Sequence, residues 1–201
     1  MSPRQSSNLT LEHVLLALLD QRPMHGYELY QELCAMKGIS LIWNIKQALL
    51  YAILDKLEVK GYLISQQVQG ETYPPRKYFH LTEIGKSSLQ LWIKTPVRRA
   101  RDLRQEFLAK LIIARRYGKA ETLEIIRVQE QACRVWYEEL KTKIPTLNPE
   151  NMDEWIVYSY RINRVEVVMN WLKMCELEMD RLLDPSLAAE SLPENLSMKE
   201  K

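Results

Sequence analysis

Between residues 62 and 81 the apolar residues of this chain stop recurring at helical spacing and begin to alternate. Tyr62–Val68 reads as a strand, Gly70–Pro75 as a polar, proline-bearing turn, and Lys77–Leu81 as a returning strand. On both sides of this hairpin the period is helical. Upstream, Leu11, Val14, Leu15, Leu18 and Leu19 share one face of a first helix, with Thr10 placed to cap it. Pro23 separates it from a second helix over about Met24–Met36. After a short link containing Trp43, Asn44 and Gln47 form an N-x-x-Q pattern close to a capping box. The third helix then carries Leu50, Ile53, Leu54 and Leu57 inward and stops at Lys60-Gly61. Thr82 caps a fourth helix that ends before Pro96.

Three helices, a two-stranded hairpin and a further helix make a winged helix-turn-helix domain over residues 9–95. Beyond Pro96 the chain reads as helix throughout, with segments at about Val97–Tyr117, Ala120–Lys143 and Met152–Leu183. In the last, Trp155, Tyr158, Ile162, Val165, Met169, Leu172, Glu176, Met179 and Leu183 alternate in spacing between three and four, a heptad seam. A weaker seam runs through Leu123, Ile126, Glu130, Cys133, Tyr137, Leu140 and Ile144. A helix of ~32 residues is ~48 Å long, more than one small chain readily covers. The seam residues Trp155, Tyr158, Ile162, Val165, Met169, Leu172 and Met179 are therefore expected to form a homodimer interface. The fold class is mainly α with a small β-hairpin: the winged helix-turn-helix domain, then a C-terminal helical dimerisation domain at 97–183. Residues 184–201, with two prolines and no period, read as a flexible tail.

Composition excludes several classes. The chain has 201 residues, 46% hydrophobic and 27% charged, an ordinary globular balance that needs no disulfide or metal staple. The longest wholly apolar run, Val14–Leu19, is far short of the ~20 residues of a membrane span. The polar start lacks the apolar core of a signal peptide, so a soluble cytoplasmic protein is expected. Cys34, Cys133 and Cys175 form no CxxC pair and share no ligand spacing with His13, His25 or His80. They are expected to be buried thiols, with no metal and no cofactor. No nucleotide loop, HExxH or GxSxG occurs, and Glu138-Glu139 point about 100° apart on a helix, so no enzyme is expected.

Net charge is only +2, but residues 96–118 carry seven basic and two acidic side chains while residues 151–201 carry six and ten. A basic front and an acidic back suit an anionic partner at the front. In a helix-turn-helix the third helix, here 45–60, enters the major groove of double-stranded DNA and presents the side chains opposite its apolar stripe. Those are Lys46, Gln47, Tyr51, Asp55 and Lys56, with Leu49 at the edge. Gln47 suits adenine, Lys46 and Lys56 suit guanine or phosphate, and Tyr51 suits a phosphate or a thymine methyl. The wing, 64–80, brings Arg76 and Lys77 beside the stiff Pro74-Pro75 turn, where contacts to the backbone position the protein without reading sequence. Pro23-Met24-His25-Gly26 offers no Ser, Thr, Asp or Asn to cap the second helix. Its first N–H groups are left to a DNA phosphate, with Tyr27 alongside, or to water.

The segments His-Gly-Tyr-Glu-Leu at 25–29, Leu-Tyr-Ala-Ile-Leu-Asp-Lys-Leu-Glu-Val-Lys-Gly-Tyr-Leu-Ile at 50–64 and Arg-Lys-Tyr-Phe-His-Leu-Thr-Glu-Ile-Gly at 76–85 resemble the PadR-like transcriptional regulators. The resemblance spans about residues 9–95. The helical half, with Trp171-Leu172, is similar to the subgroup with a virulence-activator-type C-terminal dimerisation domain. It implies a homodimer that binds an inverted repeat and represses transcription, with Tyr51 as the recognition-helix tyrosine and Arg76 and Lys77 as the basic wing. Leu49-Leu50 and Ala52 stand where the family often has small or polar residues and a proline. Two further readings accompany the regulator: a winged-helix adaptor that grips a protein partner through its acidic half without binding DNA, and a regulator with a small aromatic effector among Trp92, Trp136 and Trp171.

Overall fold

A computed structural model of the chain describes residues 3–68 and 76–179. The elements run α1 (Pro3–Leu19), β1 (Met24–His25), α2 (Gly26–Ala35), α3 (Lys37–Ile42), α4 (Gln47–Val59), β2 (Leu63–Val68), β3 (Arg76–Leu81), α5 (Glu83–Lys94), α6 (Leu108–Ala114), α7 (Lys119–Lys141) and α8 (Met152–Leu177). The chain divides into two compact units, 1–116 and 117–201. The wing tip expected at Gly70–Pro75, together with Leu183 and the tail, lies outside the described residues.

In the first unit α1 is the hub. Val14, Leu15, Leu16, Ala17, Leu18 and Leu19 are all buried, so the last turns of this helix are covered on every side rather than on one face. The reason is its company: α2, α4 and β3 pack against it, and so do α5, α6 and the turn before α6. Thr10 is not a cap, because α1 already begins at Pro3. The link expected at Trp43 contains the extra helix α3, whose Ile39 enters the core. Neither Asn44 nor Lys46 caps α4 through a side chain, and Lys46 itself stands at the N-cap in extended conformation.

The hairpin is as expected, and its second arm is the middle of a three-stranded antiparallel sheet ordered β1-β3-β2. Leu63 pairs with Leu81 and Val68 with Arg76, while the short β1 adds Met24 opposite Phe79 and His25 opposite Tyr78. Two local signals hold as read. Thr82 Oγ1 accepts from the Gly85 N–H at 3.1 Å, capping α5. Gly61, at φ +71°, ends α4 in a Schellman turn, its N–H donating to Glu58 O and that of Tyr62 to Leu57 O.

The helix expected from Val97 to Tyr117 is broken into a 3₁₀ turn (Ala100–Asp102), a π turn (Leu103–Phe107) and α6. Arg98, Arg99, Arg101 and Arg104 would set like charges a turn apart in a continuous helix. Leu103, Phe107, Ala109, Ile113 and Ala114 are buried here, and Lys110 is buried too. Its ammonium donates to Thr95 O at 2.6 Å and pairs with Glu106 at 2.9 Å, and burial pulls its pKa down. This packing moves the boundary between units from the expected residue 96 to Arg116/Tyr117.

In the second unit α7 lies along α8. Arg127 pairs with Glu176 at 3.0 Å, and the Tyr137 hydroxyl donates to Glu166 at 2.7 Å, which raises the tyrosine pKa. Val165, Leu172 and Met179 of the seam are buried within the single chain, beside Cys175, while Trp155, Tyr158, Ile162 and Met169 are half-buried. Cys133 and Cys175 are buried, and burial raises both thiol pKa values; Cys34, expected inside, is exposed.

Candidate nucleic-acid interface

Three segments distant in sequence meet on one face of the first unit: the start of α2, the outward stripe of α4 and the root of β3. Between them is a concavity of about 640 Å³ lined by His25, Gly26, Tyr27, Glu28, Gln31, Tyr51, Asp55, Arg76, Lys77 and Phe79. Of the residues expected to meet DNA, Tyr27, Tyr51, Arg76 and Lys77 are brought together here. Lys46 and Gln47 are exposed at the start of α4, outside this lining.

The α2 end of the site is built differently from expectation. His25 is extended, pairs with Tyr78 in the sheet, and its Nδ1 accepts from the Glu28 N–H at 3.1 Å. One of the orphan N–H groups is therefore capped by a histidine, a residue outside the usual capping set. The imidazole also stands edge-on to Tyr78, with centroids 5.5 Å apart. The next residue decides where Tyr51 lies. A Cβ at Gly26 would fall 2.5 Å from Tyr51 Cε1 and 2.9 Å from its hydroxyl oxygen. Only glycine lets the tyrosine ring of α4 rest on the first turn of α2.

The cations around the site are mostly engaged. Lys77 pairs with Glu58 of α4 at 2.7 Å, and Glu58 also accepts from the Ser65 hydroxyl. Lys77, then Ser65, hold the Glu58 carboxyl below its usual range, and the bonds tie the wing root to α4. Lys56 turns back to α1. With Lys60 it donates to Glu12, 2.6 Å each, and Glu12 is only 2% exposed. Arg22 pairs with Glu28 and, at 3.3 Å, with Glu32. Sequence reasoning missed Glu12 and Glu58 as partners. Glu58 carries no local signal, and Glu12 sits amid apolar residues with nothing to mark its contact with α4.

The tryptophans are not gathered in one unit. Trp92 belongs to the first, stacked on His13 at 4.9 Å with Lys110 over its ring at 5.2 Å. Trp136 and Trp171 belong to the second. Trp92 and His13 line a separate concavity of about 460 Å³ rimmed by Arg98, Arg99 and Arg101. Among the described residues no group of three or more His, Cys, Asp or Glu side chains is arranged to hold a metal, and no helix is long and apolar enough to cross a membrane.

The family model of the transcriptional regulator PadR-like family matches residues 15–91. An uncharacterized protein of Lysinibacillus sphaericus is 31% identical over 84 residues, 42% of this chain and 75% of that protein. The negative transcriptional regulator PadR of Bacillus subtilis (strain 168) is 20% identical over 180 residues, 85% of this chain and 98% of that one. The crystal structure of Bacillus subtilis PadR in complex with operator DNA is similar at 19% identity and a TM-score of 0.42, covering 83% of this chain and 97% of that one.

Proposed function

Because the chain belongs to the PadR-like family of transcriptional regulators, which are not enzymes, we propose that it is a homodimeric repressor of an inverted-repeat operator. The α4 helix enters the major groove and the wing root meets the backbone. The observation that carries this reading is the meeting of Tyr27, Tyr51, Arg76 and Lys77 around one concavity, with Tyr51 seated on Gly26. Hydroxyls and cations in that arrangement suit phosphates at its rim, while Gln47 and Tyr51 face base edges. Repression is the sign that the Bacillus subtilis relative's name states for that protein.

The dimer is supported by the face of α8 opposite its seam. Ile156, Tyr160, Val167 and Met174 recur at spacings of four and seven on that face, and all are exposed, Val167 at 67%. A helix that is apolar on two opposite faces needs two partners. Within the chain α7 covers one, and a second copy of α8 suits the other.

Fluorescence anisotropy of labelled DNA from the gene's own upstream region, against scrambled DNA across a salt series, tests the proposal. A dimer that neutralises on the order of 6–10 phosphates gives a log–log salt slope near −5 to −9 and tighter binding to the upstream fragment. No binding to either fragment at low salt would favour the adaptor. Charge reversal of Lys46, Arg76 and Lys77 separates the two readings, since it abolishes DNA binding but spares a protein partner. A second reading adds a small aromatic effector, favoured by the Trp92–His13 stack beside its arginine-rimmed concavity. Tryptophan emission that stays flat across a panel of planar compounds would remove it.

A further inference from the structure

Gln47, Tyr51 and Asp55 follow one another at four-residue spacing, so they form one stripe along the outward side of α4. Tyr51 and Asp55 line the concavity together with Arg76 and Lys77. An acid at this place is out of keeping with a surface that docks on a polyanion, and its neighbours show how the fold treats other acids. Glu58 is held by Lys77 and Ser65, Glu12 by Lys56 and Lys60, and Glu28 by Arg22. Among the described residues, nothing forms an ion pair or hydrogen bond with the Asp55 carboxylate, although Lys56 is its neighbour in sequence and turns to Glu12 instead.

Resting on the operator-binding reading, we infer that Asp55 is a specificity-determining residue that accepts a hydrogen bond from the exocyclic amine of a cytosine in the major groove. Docking removes water from the concavity, and a carboxylate stripped of water needs a donor. Phosphates repel it and donate nothing. The base edges of the major groove offer two donors, the N4 amine of cytosine and the N6 amine of adenine. Adenine sets the N7 lone pair beside its amine, facing the second carboxylate oxygen, whereas cytosine sets a C–H there. Cytosine therefore accepts the carboxylate without a repulsive neighbour. Lys77 of the wing, which lines the same concavity, is engaged by Glu58 rather than by Asp55.

Selection of bound duplexes from a random DNA library by the full chain, its Asp55→Ala variant and its Asp55→Asn variant tests this. The unaltered chain should select a C·G pair at one position of each half-site. Asp55→Ala should lose that one preference, by roughly tenfold or more, and keep the others. It should also bind scrambled DNA more tightly, having lost a negative charge in each subunit. Asp55→Asn should shift the position towards adenine, which suits an amide. In the selected site, a cytosine analogue lacking the 4-amino group should weaken the unaltered chain and leave Asp55→Ala unchanged. The inference falls if Asp55→Ala selects the same sites as the unaltered chain, or weakens every position equally. If the unaltered chain selects no sequence at all, the operator reading falls, and the inference with it.

Discussion

Gly26 and Tyr51 show how much one hydrogen atom decides at the residue scale. The ring of Tyr51 occupies the space in which any other side chain at position 26 would begin. Gly26→Ala should leave the fold intact, because a flexible ring end can swing aside, but it displaces the hydroxyl from the concavity. DNA affinity should fall on the order of tenfold, about the worth of one well-placed hydrogen bond. In a Tyr51→Ala background the same change should cost nothing further, and anisotropy on the four proteins of this cycle would show the coupling. Lys56 makes the complementary point. Its outward position on α4 was legible in the sequence, yet its ammonium is committed to Glu12 on α1. Helical phase reports where a side chain starts, and a partner 44 residues away decides where it ends.

At the scale of elements, the wing and the recognition helix are joined by Glu58. Its folded pKa is depressed by Lys77 and Ser65, so its contribution is present above the ordinary carboxylate pKa and is lost as pH falls through the folded value. Glu58→Gln should therefore flatten the acid limb of the stability curve below about pH 5, as thermal melts across pH would record. The hub helix α1 sets the larger scale of stability. Leu15 is fully buried with neighbours on every side, so Leu15→Ala should destabilise the first unit by about 2–5 kcal/mol. Leu41→Ala, at a residue 89% exposed, should stay within about 0.5 kcal/mol by urea midpoint. Hairpin, Thr82 cap and Gly61 stop were all legible because each is a local signal. β1 was not, since it depends on β3, which lies more than fifty residues downstream, and the His25 cap was not, since histidine is outside the usual capping set.

For the whole molecule, the two faces of α8 carry the argument for assembly. Val167→Glu places a charge on the outer face without touching the buried Val165, Leu172 and Met179. Sedimentation should show a dimer for the unaltered chain and a monomer for the variant, with the helical signal in circular dichroism unchanged. The salt slope of DNA binding should drop to about half, because each monomer brings one helix and one wing. A monomeric unaltered chain at micromolar concentration would overturn the homodimer.

The sequence by itself determined the class of each element, the place of the hairpin and the stripe that α4 turns outward. These follow from periodicity, caps and turn residues, which act over a few residues. Tertiary structure alone decided that residues 97–116 close over α1 rather than join the C-terminal helices. It also decided that Val165, Leu172 and Met179 of the α8 seam are buried within the single chain, and that most cations near the concavity are neutralised while Asp55 is not. An apolar stripe specifies that something must cover it, and charge specifies that something must offset it. Which partner does so depends on contacts between residues far apart in the chain, and these exist only once it has folded.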